Sequence, residues 1–358
     1  MRSVTTLLEL DGAAGEGGGQ ILRTALSLSM CSGRPFRIVN IRARRKSPGL
    51  MRQHLTAVRA AAEICRARVE GDQVGSLSLS FAPGPVRAGD YRFAIGTAGS
   101  CSLVFQTLLP ALLQADGGSR IRFQGGTHNP LAPPFHFLDR AFLPLLRRMG
   151  AEVSVDLRRF GFYPAGGGEF GAAIEPVHRL APLVLERPGA RRRAYAEAYC
   201  AALPIQIARR ELDVVGKRLG WGEDQLLLRG LANDQGPGNV LVLTLEQEAV
   251  SEVFTGFGEK GVTAEAVAQR AVDEVRDYLA SAAAVGPHLA DQLLLPLALS
   301  GAGSFTASAL TRHTLTNAEV IRSFLGIPIA TERLPGPSFR ITVGTAPGPI
   351  DQSAPAIG

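Results

Sequence analysis

Asp11–Ser27, DGAAGEGGGQILRTALS, is the stretch whose reading decides the fold. A short apolar strand pattern, Thr5–Leu10, runs into it, and an amphipathic helix opens at about Gln20 with apolar Ile21, Leu22, Ala25, Leu26 and Leu28. The loop between them holds five glycines and one acid, Glu16. Glycine lets the backbone take positive φ and approach a ligand closely, and the free N–H groups of a helix start attract anions. Strand, glycine loop and helix therefore form a place to hold phosphate. Gly-rich turns also serve as plain connections, and this one is neither a Walker A loop, since it lacks GK[ST], nor a dinucleotide fingerprint. Arg23, one turn inside the helix, and Glu16, poised to hold a divalent cation, favour the phosphate reading.

The layout strand, Gly loop, helix, strand, loop, helix, strand, strand covers the first part of the chain. A strand at Phe36–Ile41, the basic loop RARRKSPGL, a helix from about Met51 to Arg68 and strands near Arg68–Glu70 and Leu77–Phe81 complete it. The same plan returns with a strand at Tyr91–Ile95, the loop GTAGS, a helix at Cys101–Leu113, a strand at Arg120–Gln124, the loop GGTHNPLAPP and a helix at about Phe135–Met149. Strands near Glu152–Leu157 and Glu169–Ile174 finish it. A third copy reads as a helix at Pro287–Leu299, a strand at Ser304–Ala309, the loop LTRHTLT, a helix at Asn317–Leu325 and strands at Ile327–Thr331 and Phe339–Val343. Three copies of one unit argue that each sheet packs two helices on one face. Copies one and two lie about 80 residues apart and copies two and three about 190, so roughly 100 residues near Val184–Ala284 are an insertion. That segment has a strand at Arg193–Ala198, helices at Ile205–Leu219 and Ala264–Ala283 and a strand at Val240–Leu245, enough for a small α/β domain.

Composition sets bounds on function. At 358 residues and 46% apolar, the chain can bury a substantial core in two domains or one domain with an insertion. No apolar run approaches about 18 residues, so no membrane span or membrane partner is expected. The N-terminus enters a strand pattern directly, without the apolar region of a secretory signal, and Cys31, Cys65, Cys101 and Cys200 show no metal spacing. Free thiols in a reducing cytoplasm are the expectation. The net charge of +6 favours a polyanionic partner. Arg42, Arg44, Arg45, Lys46 and Arg52 crowd one loop on the edge where the glycine loop opens; a charge run is often only a solvated face, as the run Arg191–Arg193 is read.

Six histidines exist, and His313 lies in the third unit's strand-to-helix loop before the cap-like residues 314–317. It is either a loop histidine satisfied by backbone or an uncharged imidazole nucleophile. No GxSxG or HExxH occurs, which leaves a hydrolase triad or a zinc hydrolase without support. In Pro287–Gln292, PHLADQ, Asp291 and Gln292 sit in a helix's first turn, where an acid either answers the helix dipole or accepts hydrogen bonds from a ribose, with Gln292 or Gln106 on a base. Arg52, Gln53 and His54 occupy another helix start, facing either solvent or ligand.

At these residues the sequence resembles the RNA 3′-terminal phosphate cyclase family over nearly its whole length. The matching stretches are DGAAGEGGGQILRTALSLS, RKSPGLMRQHL, GTAGSCSLVFQTLLPAL, GGTHNP with APP, LPIQIARREL, HLADQLLLPLALSGAG and RHTLTN. The resemblance implies an α/β (α+β) fold of three tandem repeats, each a four-stranded sheet with two helices, plus an inserted thioredoxin-like α/β domain. The expected segments are 1–183 (repeats 1 and 2), 184–284 (insertion) and 285–358 (repeat 3 and tail). It implies ATP-dependent conversion of an RNA 3′-phosphate end into a 2′,3′-cyclic phosphodiester, with RNA and ATP as partners. His313 corresponds to the family's adenylylated nucleophile and Glu16 to its acid for Mg²⁺ or Mn²⁺. Arg23, Arg42, Arg45, Gln53 and His54 match positions for phosphates or the RNA end. Gln106 and the run His288, Leu289, Ala290, Asp291 and Gln292 match nucleotide-binding positions, with Pro134 flanking the base. Position 288 is tyrosine in some members, and either ring stacks on adenine. Arg191–Arg193 match no assigned position. The resemblance leaves the oligomeric state open, a homodimer included. The rivals are a non-catalytic cyclase-like ribosome-assembly protein, disfavoured by His313, and an enolpyruvyl transferase of six repeats, disfavoured by the insertion.

Overall fold

Alternating burial along Phe36–Val39 and a wide apolar stripe on Gln20–Ser32 start a core between one sheet and its helices. The computed structural model describes residues 7–96 and 98–345, so Thr5, Thr6 and the tail from 346 onward lie outside the described residues. The first sheet comprises β1 (Leu8–Asp11), β2 (Phe36–Val39), β3 (Arg68–Glu70) and β4 (Leu79–Ala82), in the order β1-β2-β4-β3. Only β1 and β2 run parallel. Helices α1 (Gln20–Ser32) and α2 (Arg52–Cys65) belong to this unit. The periodicity suggests a helix to Arg68, but α2 stops at Cys65, where Arg66 turns left-handed at φ 49° and releases Arg68–Glu70 into the sheet.

A second sheet repeats the order with β5 (Asp90–Ala94), β6 (Ser119–Gly125), β7 (Glu152–Arg159) and β8 (Gly168–Glu175), again with only the first pair parallel. It carries α3 (Cys101–Leu112). A helical stretch follows: α4 (Phe135–Phe137), a π-helical turn at Leu138–Phe142, and α5 (Leu143–Arg148). The π turn breaks what the sequence suggests is one regular helix.

The third and fourth sheets interleave along the chain. Strand β9 (Leu183–Leu185) precedes β10 (Arg191–Ala201), α6 (Gln206–Leu219), β11 (Leu226–Gly230), β12 (Gly238–Gln247), β13 (Ser251–Phe257) and α7 (Ala264–Ser281). These are followed by α8 (Pro287–Ser300), β14 (Ala302–Ala307), α9 (Arg312–Leu325), β15 (Ile329–Arg333) and β16 (Phe339–Gly344). One sheet has the order β15-β16-β14-β9 and the other β11-β10-β12-β13. Leu183–Leu185 pairs in parallel with Gly303–Phe305, so the third sheet takes a strand from before the fourth. Sequence reading missed this three-residue strand because it is too short to show alternation, and it missed β11 and β13 as well.

One apolar core joins the first three sheets through α1, which packs on both α3 and α9. Phe105 meets Phe123 and Phe170 edge to face there, and those two tilt against each other, at centroid distances of 5.0 to 6.0 Å. Full burial of each such side chain is worth about 1.5–3 kcal/mol. A second core fills the space between the fourth sheet, α6 and α7.

Candidate active site

Three helix starts converge on the glycine loop. Gly15 has φ +53° and lies so close to Thr316 that a Cβ there would overlap the threonine hydroxyl. Thr316 Oγ1 accepts from Glu16 N at 2.9 Å, docking the loop on α9. At Gly19 a Cβ would overlap His54 and crowd Arg23, so glycine alone lets α1 and α2 meet there.

His313 lies in the first turn of α9, not in the preceding loop. Thr311 is the cap, its Oγ1 accepting from Thr314 N at 3.1 Å, so the helix begins at Arg312 rather than Asn317. Nδ1 of His313 is 2.7 Å from Gln20 Oε1. Gln20 Nε2 donates to Asp291 Oδ1, which also accepts from Asn317 Nδ2 at 3.1 Å. Asp291 Oδ2 accepts from Gln292 Nε2 at 2.9 Å, and Gln106 Nε2 donates to Gln292 Oε1 at 2.6 Å. Thr24 Oγ1 donates to Asn317 Oδ1 at 2.8 Å. Burial pushes the Asp291 carboxyl above its ordinary value, opposed by the Gln20 hydrogen bond, His313, Asn317 and Arg23. With three amide donors converging on it, the group acts as an acceptor. An accepting carboxylate requires the Gln20 NH₂ on its side, so the Gln20 carbonyl faces His313. The imidazole proton therefore sits on Nδ1, and Nε2 keeps its lone pair.

Nε2 is 3.9 Å from Glu16 Oε1, and the His313 side chain is 55% exposed while that of Glu16 is 11% exposed. Glu16 Oε2 accepts from Gly18 N at 2.7 Å. Its Oε1 is paired with Arg45, whose Nη2 also donates to the Glu16 carbonyl at 3.0 Å. Arg23, in the first turn of α1, makes no ion pair or side-chain hydrogen bond among the described residues. Burial lowers its pKa to about 10, against the raising effect of Asp291 and Glu16. His54 Nδ1 accepts from Met51 N at 3.2 Å, leaving the proton on the Nε2 that faces Gly19. Burial, then Arg23 and Arg42, push His54 down to about 3, so it is a neutral donor. Burial and the neighbouring His313 also lower His288.

The structure thus gathers Glu16, Arg23, Arg45, His54, Gln106, Asp291, Gln292 and His313. Other expected residues have structural partners or positions of their own. Arg42 Nη1 donates to the carbonyls of Ser47 at 2.6 Å and Gly49 at 2.9 Å, bracing its own loop. Gln53 Oε1 accepts from Ser100 N at 3.1 Å, tying α2 to the start of α3. Leu289 and Ala290 are fully buried, so their side chains pack in the core. Pro134 precedes the helical turn at Phe135. Asp291 lies one turn deeper than the first-turn position read from PHLADQ, so the amides rather than the helix dipole hold it. Sequence reasoning missed Gln20, Thr316 and Asn317 as site residues. The spacing of His313 and Asn317, i and i+4 on one helix, is the signal that could have found the last.

A family model described as RNA 3′-terminal phosphate cyclase matches residues 14–331. The RNA 3′-terminal phosphate cyclase of Ectopseudomonas mendocina (strain ymp) is 59% identical over 331 residues, covering 91% of this chain and 96% of that protein. The chain belongs to the RNA 3′-terminal phosphate cyclase family. The cyclase of Pseudomonas aeruginosa (strain UCBPP-PA14) is 57% identical over 340 residues, 95% of this chain and 99% of its own. That of Salmonella typhimurium (strain LT2) is 52% identical over 326 residues, 91% and 96% respectively. Among solved structures, the enolpyruvyl transferase NikO from Streptomyces tendae aligns over 96% of this chain and 49% of its own, at TM-score 0.36 and 13% identity, too distant to bear on fold or function. Among the described residues, no helix of this cyclase-family member is long and apolar enough to cross a membrane.

Proposed function

We propose that the protein is an ATP-dependent RNA 3′-terminal phosphate cyclase acting through a covalent histidyl-AMP. The observation that carries this is the Asp291–Gln20–His313 relay, which leaves an unprotonated Nε2 beside Glu16 at the mouth of a phosphate-holding loop. The Nε2 lone pair attacks the α-phosphorus of ATP, the N–P bond forms, the bond to the bridging oxygen breaks and pyrophosphate leaves. No proton moves, because Nδ1–H is already present. The ring becomes cationic, which Gln20 and Asp291 stabilise and which makes the bound AMP a good electrophile. An oxygen of the RNA 3′-phosphate then takes the AMP and frees His313. The neighbouring 2′-OH attacks the activated phosphorus, loses its proton and expels AMP, closing the ring. That last step is intramolecular and escapes the cost of a second encounter.

Arg23 and the His54 Nε2–H supply a cation and a neutral donor for phosphate oxygens. His288, Gln292 and Gln106 stand where the nucleoside would lie, with Pro134 as its flank. Among the described residues no group of three His, Cys, Asp or Glu side chains could hold a metal ion. One carboxylate, Glu16, suits Mg²⁺ or Mn²⁺, which take their remaining ligands from phosphate and water. Such an ion supplies charge neutralisation at the phosphates. The three sheets sharing one strand order support a domain of three repeats, with the fourth sheet and its helices as an inserted thioredoxin-like unit between β9 and α8. The four free cysteines support a cytoplasmic setting.

Intact-protein mass spectrometry after incubation with ATP and Mg²⁺ tests the reading. The wild type is expected to gain one AMP, labile to acid, and to cyclise a 3′-phosphorylated oligoribonucleotide; His313→Ala does neither. A wild type that cyclises without the adduct would overturn the mechanism.

A further inference from the structure

Away from the reacting centre, a groove of about 360 Å³ runs between α2 and the edge strand β5. Arg52, Thr56, Arg59 and Glu63 line one wall, and Arg92 stands on the other beside Ala94. Residues 52, 56, 59 and 63 share one face of α2, and Arg52 to Arg59 spans about 10 Å at 1.5 Å per residue. Next along the strand order, Arg92 and Arg122 are register partners on β5 and β6 and both point outward. Like charges placed opposite each other destabilise a sheet unless an anion lies over them. Among the described residues, Arg52, Arg92 and Arg122 have no carboxylate within ion-pair distance and no side-chain hydrogen bond. Arg59 meets Asp72 alone, through solvent-exposed contacts to its carboxylate at 3.4 Å and its carbonyl at 3.3 Å. Glu63 is the one acid of the wall.

One end of the groove is the start of α2, the helix whose His54 faces the glycine loop. Arg52 stands at that end, and its neighbours Gln53 and His54 reach the start of α3 and the glycine loop respectively. We propose that this groove carries the single-stranded RNA chain on the 5′ side of the reacting end, with Arg52, Arg59 and Arg92 on successive phosphodiesters and Arg122 beyond them. The inference rests on the cyclase reading and names the place of its substrate. Charge complementarity and continuity with the site select a nucleic-acid strand over an apolar partner. The bases face outward over a wall with no exposed aromatic ring, so the contact reads backbone and not sequence.

The test compares binding of a 3′-phosphorylated RNA trimer and dodecamer to the wild type, to Arg59→Ala/Arg92→Ala and to Arg59→Lys/Arg92→Lys, across a salt series. The wild type is expected to bind the dodecamer more tightly than the trimer. The alanine pair should lose about tenfold on the dodecamer, leave the trimer unchanged and flatten the logarithmic salt slope by about 1.4, since each single-strand phosphate contact contributes about 0.7. The lysine pair should restore most of the slope. Equal affinity of the wild type for both lengths, or full dodecamer binding by the alanine pair, overturns the groove. AMP adduct formation is read in parallel on all three proteins and should be equal. A wild type that takes up no AMP counts against the cyclase mechanism, while the length comparison alone judges the groove.

Discussion

Gln20 carries no charge, yet it decides which nitrogen of His313 is free. Asp291 orients its amide and the amide orients the ring, so in the proposed mechanism Gln20 prepares the attacking nitrogen. Gln20→Leu removes the acceptor at Nδ1 and lets the ring turn or change tautomer. The expected outcome is a fall of roughly 10- to 100-fold in the rate of histidyl-AMP formation, the usual cost of losing a group that orients a reactive histidine. ATP affinity, followed by equilibrium binding to the His313→Ala background, should hardly change. Glu16, as an acid for a divalent cation, and His313, as an imidazole nucleophile, were legible in the sequence as candidates. Gln20 was not, because a glutamine at a helix start has no signature until its partners, 271 and 293 positions away, come into view.

Helix α9 shows how a local competition sets the geometry of chemistry. Thr311, Thr314, Thr316 and Asn317 are all cap-type residues, and sequence alone does not rank them. Thr311 prevails because Thr316 and Asn317 are engaged elsewhere, with Glu16 N and Asp291. His313 then lies in the first turn, where the positive end of the helix favours an incoming anion. Thr311→Ala should cost about 1 kcal/mol of stability in urea unfolding. It should also slow adenylylation, since the turn that aims His313 loosens. Thr263→Ala removes the equivalent cap of α7, where Thr263 Oγ1 accepts from Ala266 N at 3.2 Å. A similar stability loss is expected there, with adenylylation at the wild-type rate.

Across the whole molecule, the fourth sheet is joined to the site by a buried acid. Glu252 on β13 is 2% exposed and accepts from Gly286 N at the start of α8, the helix that carries His288, Asp291 and Gln292. Burial pushes its carboxyl up to about 8, opposed by backbone N–H groups of Gly286 and Val253. Between about pH 4.5 and 8 the folded protein therefore holds a proton that the unfolded chain has released, and stability falls as pH rises through that window. Burial, reinforced by Arg140, lowers His136 to about 3, and buried His54 and His128 shift the same way, so below pH 6.5 stability falls as pH falls. The two effects place maximal stability near pH 6.5. Glu252→Gln should flatten the alkaline limb of a plot of Tm against pH, where each pH unit is worth about 1.4 kcal/mol per shifted group. The acid limb should steepen between about pH 4.5 and 6.5, where the opposing contribution of Glu252 is lost. By itself the sequence determined the mixture of strands and helices and the glycine loop between strand and helix, because periodicity and glycine spacing are local properties. Tertiary structure decided that Leu183–Leu185 pairs with β14, that Arg42 turns back on its own loop, and that an amide links Asp291 to His313. Those outcomes depend on contacts between segments more than a hundred residues apart, or on which of several local partners is left free, and no local pattern encodes either.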